Sequence, residues 1–149
     1  MNDPVNPGAN SAERWQPSRT PRTRRIAALV CLAVVIVAGL AVHALLPDTA
    51  VTDIAGDALY AAAAYAAFVV VAARLGPLAI GGIAAAWCVG VELFQLTGLP
   101  SAWGASFAPV TLLLGTVFDA RDLVVYIVTI AALTVLDWAL GSVNRPRRA

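Results

Sequence analysis

Residues 26–46 form an apolar run of 21 residues that contains no Asp, Glu, Lys or Arg. An α-helix rises about 1.5 Å per residue, so this run can cross a hydrocarbon core of about 30 Å. An alanine-rich run follows at about residues 56–73, and two further apolar runs cover about residues 75–96 and 123–141. We therefore predict an all-α, polytopic membrane protein with four transmembrane helices.

Composition and length favour a single membrane domain. Of the 149 residues, 60% are hydrophobic and 13% are charged, whereas soluble domains average about 45–50% and about 25%. We assign residues 26–141 to a four-helix membrane domain, residues 1–25 to a disordered basic cytoplasmic tail, and residues 142–149 to a second basic cytoplasmic tail. Cys31 and Cys88 have no CxxC spacing, so they indicate neither a disulfide framework nor a zinc site.

The basic residues are distributed unevenly along the chain. All ten are arginines, with five in the first 25 residues and three in the last five. Four spans put both tails and Arg74 on one side of the membrane and leave Arg121 on the other. The positive-inside rule then predicts a multi-pass protein of the bacterial cytoplasmic (inner) membrane with both termini cytoplasmic. A five-span arrangement, in which residues 103–120 cross, would export the C-terminal arginines, which the same rule disfavours.

The stretch between the third and fourth spans is not predicted to cross the membrane. Residues 97–108 carry Gly, Pro and Ser, which indicates a loop. Residues 109–118 are apolar but too short to span a bilayer. We therefore predict a short re-entrant or interfacial segment there.

Small residues recur every four positions in the third span, at Gly82, Ala86 and Gly90. Such a stripe allows two helix backbones to approach closely, so it predicts a helix-packing face. The predicted partners of the chain are the lipid bilayer and, through such packing faces, another membrane protein or a second copy of the chain.

Polar residues occur in pairs at the predicted outer ends of the second, third and fourth spans. The pairs are Asp57 and Tyr60, Glu92 and Gln95, and Asp122 and Tyr126. The members of each pair are three or four residues apart, so they share one face of their helix.

These polar residues have two interpretations. Asp57 and Asp122 suit helix starts, where a carboxylate can act as an N-cap. Glu92 lies roughly one turn inside its span, where an ionised carboxylate is costly without a partner, and Arg121 is the predicted partner. The second interpretation is an outward-facing polar pocket formed by Asp57, Tyr60, Glu92, Gln95, Arg121, Asp122 and Tyr126.

The sequence carries no catalytic motif, because it contains no nucleophile–base pair and no metal-ligand spacing. We therefore assign no catalytic residue, no metal and no cofactor. The basic cluster that ends the first tail lies beside a membrane span, which favours contact with anionic lipid over nucleic acid.

Three functions remain compatible with this pattern. The first is binding of a polar or lipid-linked envelope molecule in the outward-facing pocket. The second is a membrane enzyme of envelope metabolism, with Glu92 or Asp122 as acid or base, although the lack of a motif favours a non-enzymatic role. The third is a structural or assembly partner within the membrane.

Three stretches resemble a known family. They are GDALYAAAAY at 56–65, VELFQL at 91–96 and LLLGTVFDARDLVVY at 112–126. In this order they resemble an uncharacterised family of small bacterial inner-membrane proteins, the domain of unknown function 2809, over about residues 26–141. The family is also distantly similar to VanZ-type membrane proteins linked to glycopeptide-antibiotic resistance, which carry a Glu…Gln pair at one helix end and an aspartate at the next.

The resemblance singles out particular positions of the three elements. They are Gly56, Asp57, Leu59, Tyr60, Tyr65, Glu92, Gln95, Gly115, Phe118, Asp122 and Tyr126. The chain departs from the family pattern at Thr129, where members often have glycine, and in the loop WGASFAP, which lacks the usual basic residue. A site that needs that charge would have to use Arg121.

Overall fold

The computed structural model describes residues 20–107, 109–115 and 117–143, and these ranges contain six α-helices and no strand. The helices are α1 (Pro21–Leu45), α2 (Ala50–Val71), α3 (Pro77–Gln95), α4 (Leu99–Ser106), α5 (Pro109–Leu114) and α6 (Ala120–Val143). Of these, α1, α2, α3 and α6 are long and apolar enough to cross a membrane. The predicted all-α fold with four spans is therefore confirmed. The tail residues 1–19 and 144–149 lie outside the described ranges.

The first two spans begin earlier than their apolar runs because threonines cap them. The Thr20 side chain accepts from the Thr23 amide ahead of Pro21, so the basic residues that follow are helical. Thr49 forms a reciprocal capping box with Thr52, which starts α2 at Ala50. Asp57 therefore lies in the second turn of α2 and is not its N-cap.

The segment between α3 and α6 contains two short helices. The prediction of a loop over 97–108 was wrong for most of its length, because Gly98 adopts a left-handed φ of 71° and Pro100 then opens α4. Helix α5 has 6 residues, which is far too short to cross a bilayer.

Helices α2, α3 and α6 pack against one another, whereas the backbone of α1 packs only along α2 among the described helices. The interior of the three-helix unit is filled by Ala61, Tyr65, Ile80, Ala84, Cys88 and Ile130. Cys88 is buried and Cys31 is exposed on α1, and both are free thiols.

One side-chain network connects α1 to α2 and α6 at the end of the bundle where α1 starts. The Arg24 guanidinium is 2.6 Å from the Asp137 carboxylate of α6 and donates to the carbonyl oxygens of Ala73 and Leu75 in the α2–α3 turn. The Tyr65 hydroxyl donates to the same Asp137 oxygen at 3.1 Å. This network joins α1, α2 and α6 at that end of the bundle.

The small-residue stripe of α3 faces away from the other helices. Gly82, Ala86 and Gly90 are exposed, and a Cβ atom added at Gly82 or Gly90 would meet no atom within 4 Å. Residues two positions apart lie about 200° apart around a helix, so the face that turns Glu92 inward turns Gly90 outward. The stripe makes no contact within the described monomer, and its contact with another chain stays a prediction.

Close packing between α3 and α6 instead uses Gly81, which is buried. A Cβ atom added there would overlap the Thr134 hydroxyl and lie 3.4 Å from Thr134 Cβ. That hydroxyl donates to the Ile130 carbonyl at 2.7 Å, so it cannot move aside without losing its bond.

We expect Gly81→Ala to lower the free energy of unfolding by about 1 kcal/mol, because the added methyl group forces two packed helices apart. Gly82→Ala, one residue along the same helix, should not lower it, because the new methyl group faces open space and alanine favours the helix over glycine. The free energy of unfolding of both variants can be measured on the purified proteins in mixed micelles. Equal losses at the two positions would contradict the helix rotation described above.

Candidate functional site

The three polar pairs converge at the end of the bundle opposite Arg24. The Tyr126 hydroxyl of α6 donates to the Glu92 carboxylate of α3 at 3.2 Å. The rings of Tyr60 on α2 and Tyr126 lie with their centroids 5.8 Å apart. The carboxyl groups of Asp57 and Asp122 are neighbours that act on each other electrostatically. Helical spacing thus puts each pair on one face, and the packing of α2, α3 and α6 brings the three faces together.

Glu92 is completely buried, with 0% of its surface exposed. Its carboxylate accepts from the Tyr126 hydroxyl and, at 3.3 Å, from the backbone amide of Asp119. A buried carboxylate needs such donors, since losing one leaves an unsatisfied acceptor in a medium of low polarity. Glu92 therefore joins α3 to α6 and to the residues that precede α6.

The prediction that Arg121 pairs with Glu92 was wrong. Arg121 lies 3.8 Å from Asp53, 3.8 Å from Asp119 and 3.6 Å from Asp122, and its side chain is 41% exposed. Successive residues of a helix point about 100° apart, so Arg121 faces the surface when Asp122 and Tyr126 face inward. The arginine joins Asp53 of α2 to Asp119 and Asp122, and it reaches the buried site only at Asp122.

Asp122 is not an N-cap either, because α6 already begins at Ala120. The helix is instead capped by Asp119, whose carboxylate accepts a hydrogen bond from the Arg121 amide at 2.8 Å. Asp119 was absent from the predicted site, although its position just before the last apolar run is the usual place for such a residue. Its amide on Glu92 and its carboxylate on α6 make it part of the site.

A second omission is Trp87 on α3. Its indole N–H donates to the Tyr60 hydroxyl at 3.1 Å, and that hydroxyl donates in turn to the Leu113 carbonyl of α5 at 2.7 Å. The contact joins three helices, and no spacing in the sequence indicates it, because Trp87 and Tyr60 are far apart in the chain.

Gly115 allows the chain after α5 to approach α3. It adopts a φ of 64°, and a Cβ atom added there would overlap the amide nitrogen of Gln95. That nitrogen donates to the Leu114 carbonyl at 2.8 Å. Glycine is therefore needed twice at this position, for its backbone conformation and for the space beside Gln95.

A cavity of about 620 Å³ lies between α1, α2 and α5. Four of the seven predicted pocket residues line it, whereas Glu92, Arg121 and Asp122 do not. The lining polar side chains are His43, Asp57, Tyr60, Gln95, Thr111 and Tyr126. Helix α1 contributes an apolar wall that includes Val35, Ile36 and Leu40. The cavity thus has a polar end and an apolar flank.

Three buried oxygen atoms at this site have no hydrogen-bond donor among the described residues. They are Asp57 Oδ2, Gln95 Oε1 and Asp122 Oδ1. Most buried polar atoms in proteins are hydrogen-bonded, so such a group of acceptors is unusual. In the part of the chain that the structure describes, no three His, Cys, Asp or Glu side chains are arranged to hold a metal ion. The chemistry that the arrangement offers is hydrogen-bond acceptance inside a partly apolar cavity.

Comparison with known proteins gives one match. A family model described as "Protein of unknown function (DUF2809)" matches residues 46–130, a shorter stretch than the 26–141 expected from the motifs. No curated protein and no solved structure matches the chain. The matched stretch runs from α2 into α6 and contains the three polar pairs, Asp119 and Gly115. The chain, a multi-pass membrane protein by its four apolar helices, therefore belongs to the DUF2809 family of proteins of unknown function.

Proposed function

We propose that this membrane protein binds an amphipathic molecule, a lipid or lipid-linked molecule of the cell envelope, in the cavity beside α1. The polar head would lie against Asp57, Tyr60 and Gln95, and the apolar chain along α1. The observation that carries this proposal is the division of one continuous cavity into a polar end and an apolar flank.

The dimensions of the cavity support a ligand of this kind. Its volume of about 620 Å³ is within the range of about 300–1,000 Å³ that is usual for small-molecule sites. The lining residue of α1 farthest from the helix end is Val35, ten residues before Leu45. At about 1.5 Å per residue the apolar wall extends roughly 15 Å into the bundle, about half the thickness of a hydrocarbon core. The acyl chains of one leaflet occupy about this depth.

The position of α1 also supports lateral entry from the bilayer. Among the described helices, the backbone of α1 packs only along α2. On the side of the cavity that faces α5, no further described helix packs against α1. A ligand with an apolar chain can then enter from the membrane without exposing that chain to water.

The charge distribution supports an orientation with both termini cytoplasmic in a bacterial inner membrane. Arg22, Arg24, Arg25 and Arg74 lie at the end of the bundle opposite the cavity, and Arg121 lies at the cavity end. Cytoplasmic segments near a membrane carry an excess of arginine and lysine. The cavity would then take its ligand from the outer leaflet.

The proposal is tested by filling the cavity from α1. Gly39 lines the cavity, and a Cβ atom added there meets only Leu59 Cβ, at 4.0 Å. Gly39→Leu should therefore fold and place its side chain where the ligand chain would lie. We expect it to reduce the lipid retained by the purified protein by about tenfold, the loss that excluding one or two buried methylene groups produces.

The measurement is native mass spectrometry of protein extracted from membranes, with the retained lipids identified after release. Gly82→Leu is the matched control, because it adds the same side chain to an exposed position of α3 where nothing lies within 4 Å. The control should retain the lipids of the wild type. Unchanged retention in Gly39→Leu, or equal losses in both variants, would refute the proposed site.

A further inference from the structure

We infer that the polar end of the cavity takes an ammonium group, so that the amphiphile bound there carries a primary amine in its head. Asp57 Oδ2 and Gln95 Oε1 would accept its hydrogen bonds. This inference rests on the proposed function and adds the chemical class of the ligand to it.

Two buried oxygen atoms without a partner among the described residues lie at the polar end, and both are acceptors. Asp57 and Gln95 both line the cavity, and Asp57 Oδ2 and Gln95 Oε1 have no donor among the described residues. Gln95 is 7% exposed, so its oxygen depends on a partner inside the cavity. The orientation of this amide is defined, because its nitrogen faces the Leu114 carbonyl at 2.8 Å and a carbonyl can only accept.

The tyrosine donors at the cavity are already engaged. Tyr60 accepts from Trp87 and donates to the Leu113 carbonyl. Tyr126 donates its hydroxyl hydrogen to Glu92. A phosphate or carboxylate head needs donors, and these hydroxyls have no hydrogen left to give. A head that pairs with the Asp57 and Gln95 oxygens must itself donate.

The charges at this end of the bundle favour a cation over a neutral donor. Six acidic residues lie there, namely Asp48, Asp53, Asp57, Glu92, Asp119 and Asp122. Arg121 is the arginine at this end in the described ranges, and it lies within 4 Å of three of those aspartates. The carboxyl groups of Asp57 and Asp122 are neighbours, and two ionised carboxylates at such range repel each other. An ammonium group supplies both the positive charge and three N–H donors.

Three phospholipids with identical acyl chains test this inference on the full-length protein in detergent micelles. Phosphatidylethanolamine has a primary ammonium, phosphatidylcholine has the same net charge but no N–H donor, and phosphatidylglycerol has hydroxyl donors and a negative charge. We expect phosphatidylethanolamine to bind about tenfold more tightly than either, because charge-assisted hydrogen bonds are lost with the other two. Titration by native mass spectrometry gives the three dissociation constants.

Asp57→Asn should abolish this preference, since it removes the charge and one acceptor. Asp53→Asn is the matched control, because Asp53 lies one turn earlier on α2, pairs with Arg121 and does not line the cavity. It should keep the tenfold preference. If Asp57→Asn does not fold, dodecylammonium and dodecyltrimethylammonium are compared on the wild type. Equal binding of these two cations would overturn the inference.

The outcomes separate this inference from the proposed function. If all three phospholipids bind equally and Gly39→Leu still weakens them, the cavity binds lipid but the ammonium assignment is wrong. If glycerophosphoethanolamine, the same head without acyl chains, binds as tightly as the lipid, the ammonium site stands and the amphiphile proposal is wrong. If neither the lipids nor this soluble head bind in a cavity-dependent way, both are refuted.

Discussion

Asp137→Ala should lower the free energy of unfolding by about 3 kcal/mol, the lower part of the range for breaking a buried ion pair. The Arg24 and Asp137 side chains are 14% and 16% exposed, so water screens the remaining charge only partly. Removing the carboxylate leaves the Arg24 guanidinium, which is held in place by the Ala73 and Leu75 carbonyls, without its anion. It also removes the acceptor of the Tyr65 hydroxyl.

The effect should be large because this network holds α1 to a second helix, whereas its backbone packs along α2 alone. The helix contacts only α2 along its backbone, so the ion pair is the described link between α1 and α6. Unfolding of the purified protein in mixed micelles of an ionic and a non-ionic detergent gives the free energy, and limited proteolysis reports release of α1.

Two comparisons control this prediction. Arg25→Ala changes the neighbouring arginine, which is exposed, and should alter stability by less than about 0.5 kcal/mol. The double variant Arg24→Ala, Asp137→Ala should be less destabilised than the sum of the single variants, because the two charges are coupled. Strict additivity would show that the pair contributes nothing to stability and that other contacts hold α1 in place.

Gly115→Ala should lower the free energy of unfolding by about 2–5 kcal/mol. A φ of 64° costs a residue with a Cβ atom about 1–2 kcal/mol. The new methyl group also displaces the Gln95 amide, whose bond to the Leu114 carbonyl is then lost. Leaving buried polar groups without partners adds about 1–3 kcal/mol.

Gly98→Ala separates the two contributions. Gly98 has a similar φ of 71°, but a Cβ atom added there meets no atom within 4 Å. It should therefore show the backbone cost of about 1–2 kcal/mol and no more. The difference between the two variants, measured by the same unfolding experiment, reports the contact between Gly115 and Gln95. If Gly98→Ala were as destabilising as Gly115→Ala, that contact would have no energetic role.

Several features of the site could be predicted from local pattern. The polar pairs are three or four residues apart, so their common faces follow from helix geometry whatever the rest of the fold does. The early start of α2 was also detectable in principle, because Thr49 and Thr52 have the spacing of a capping box. By contrast, the partner of Arg121 and the contact of Trp87 with Tyr60 depend on residues that are distant in the chain.

The rotation of α3 about its axis could not be predicted from the sequence. Its sequence offers two faces for packing, one with Gly82, Ala86 and Gly90 and one with Glu92 and Gln95, and the two point in nearly opposite directions. Each face has a sound reason to be buried, since small residues allow close approach and a carboxylate needs partners. The hydroxyl of Tyr126 and the amide of Asp119 decide between them by satisfying Glu92.

The sequence by itself determined the number of spans, their order and the end of the bundle at which the acidic residues gather. These properties depend on the length and polarity of each segment, which are local quantities. Only the tertiary structure decided which face of each helix is inward, which groups satisfy Glu92, and that α1 and α5 enclose a cavity with free acceptors. Those outcomes depend on the summed contacts of helices that are remote in the chain, and no single segment contains that information.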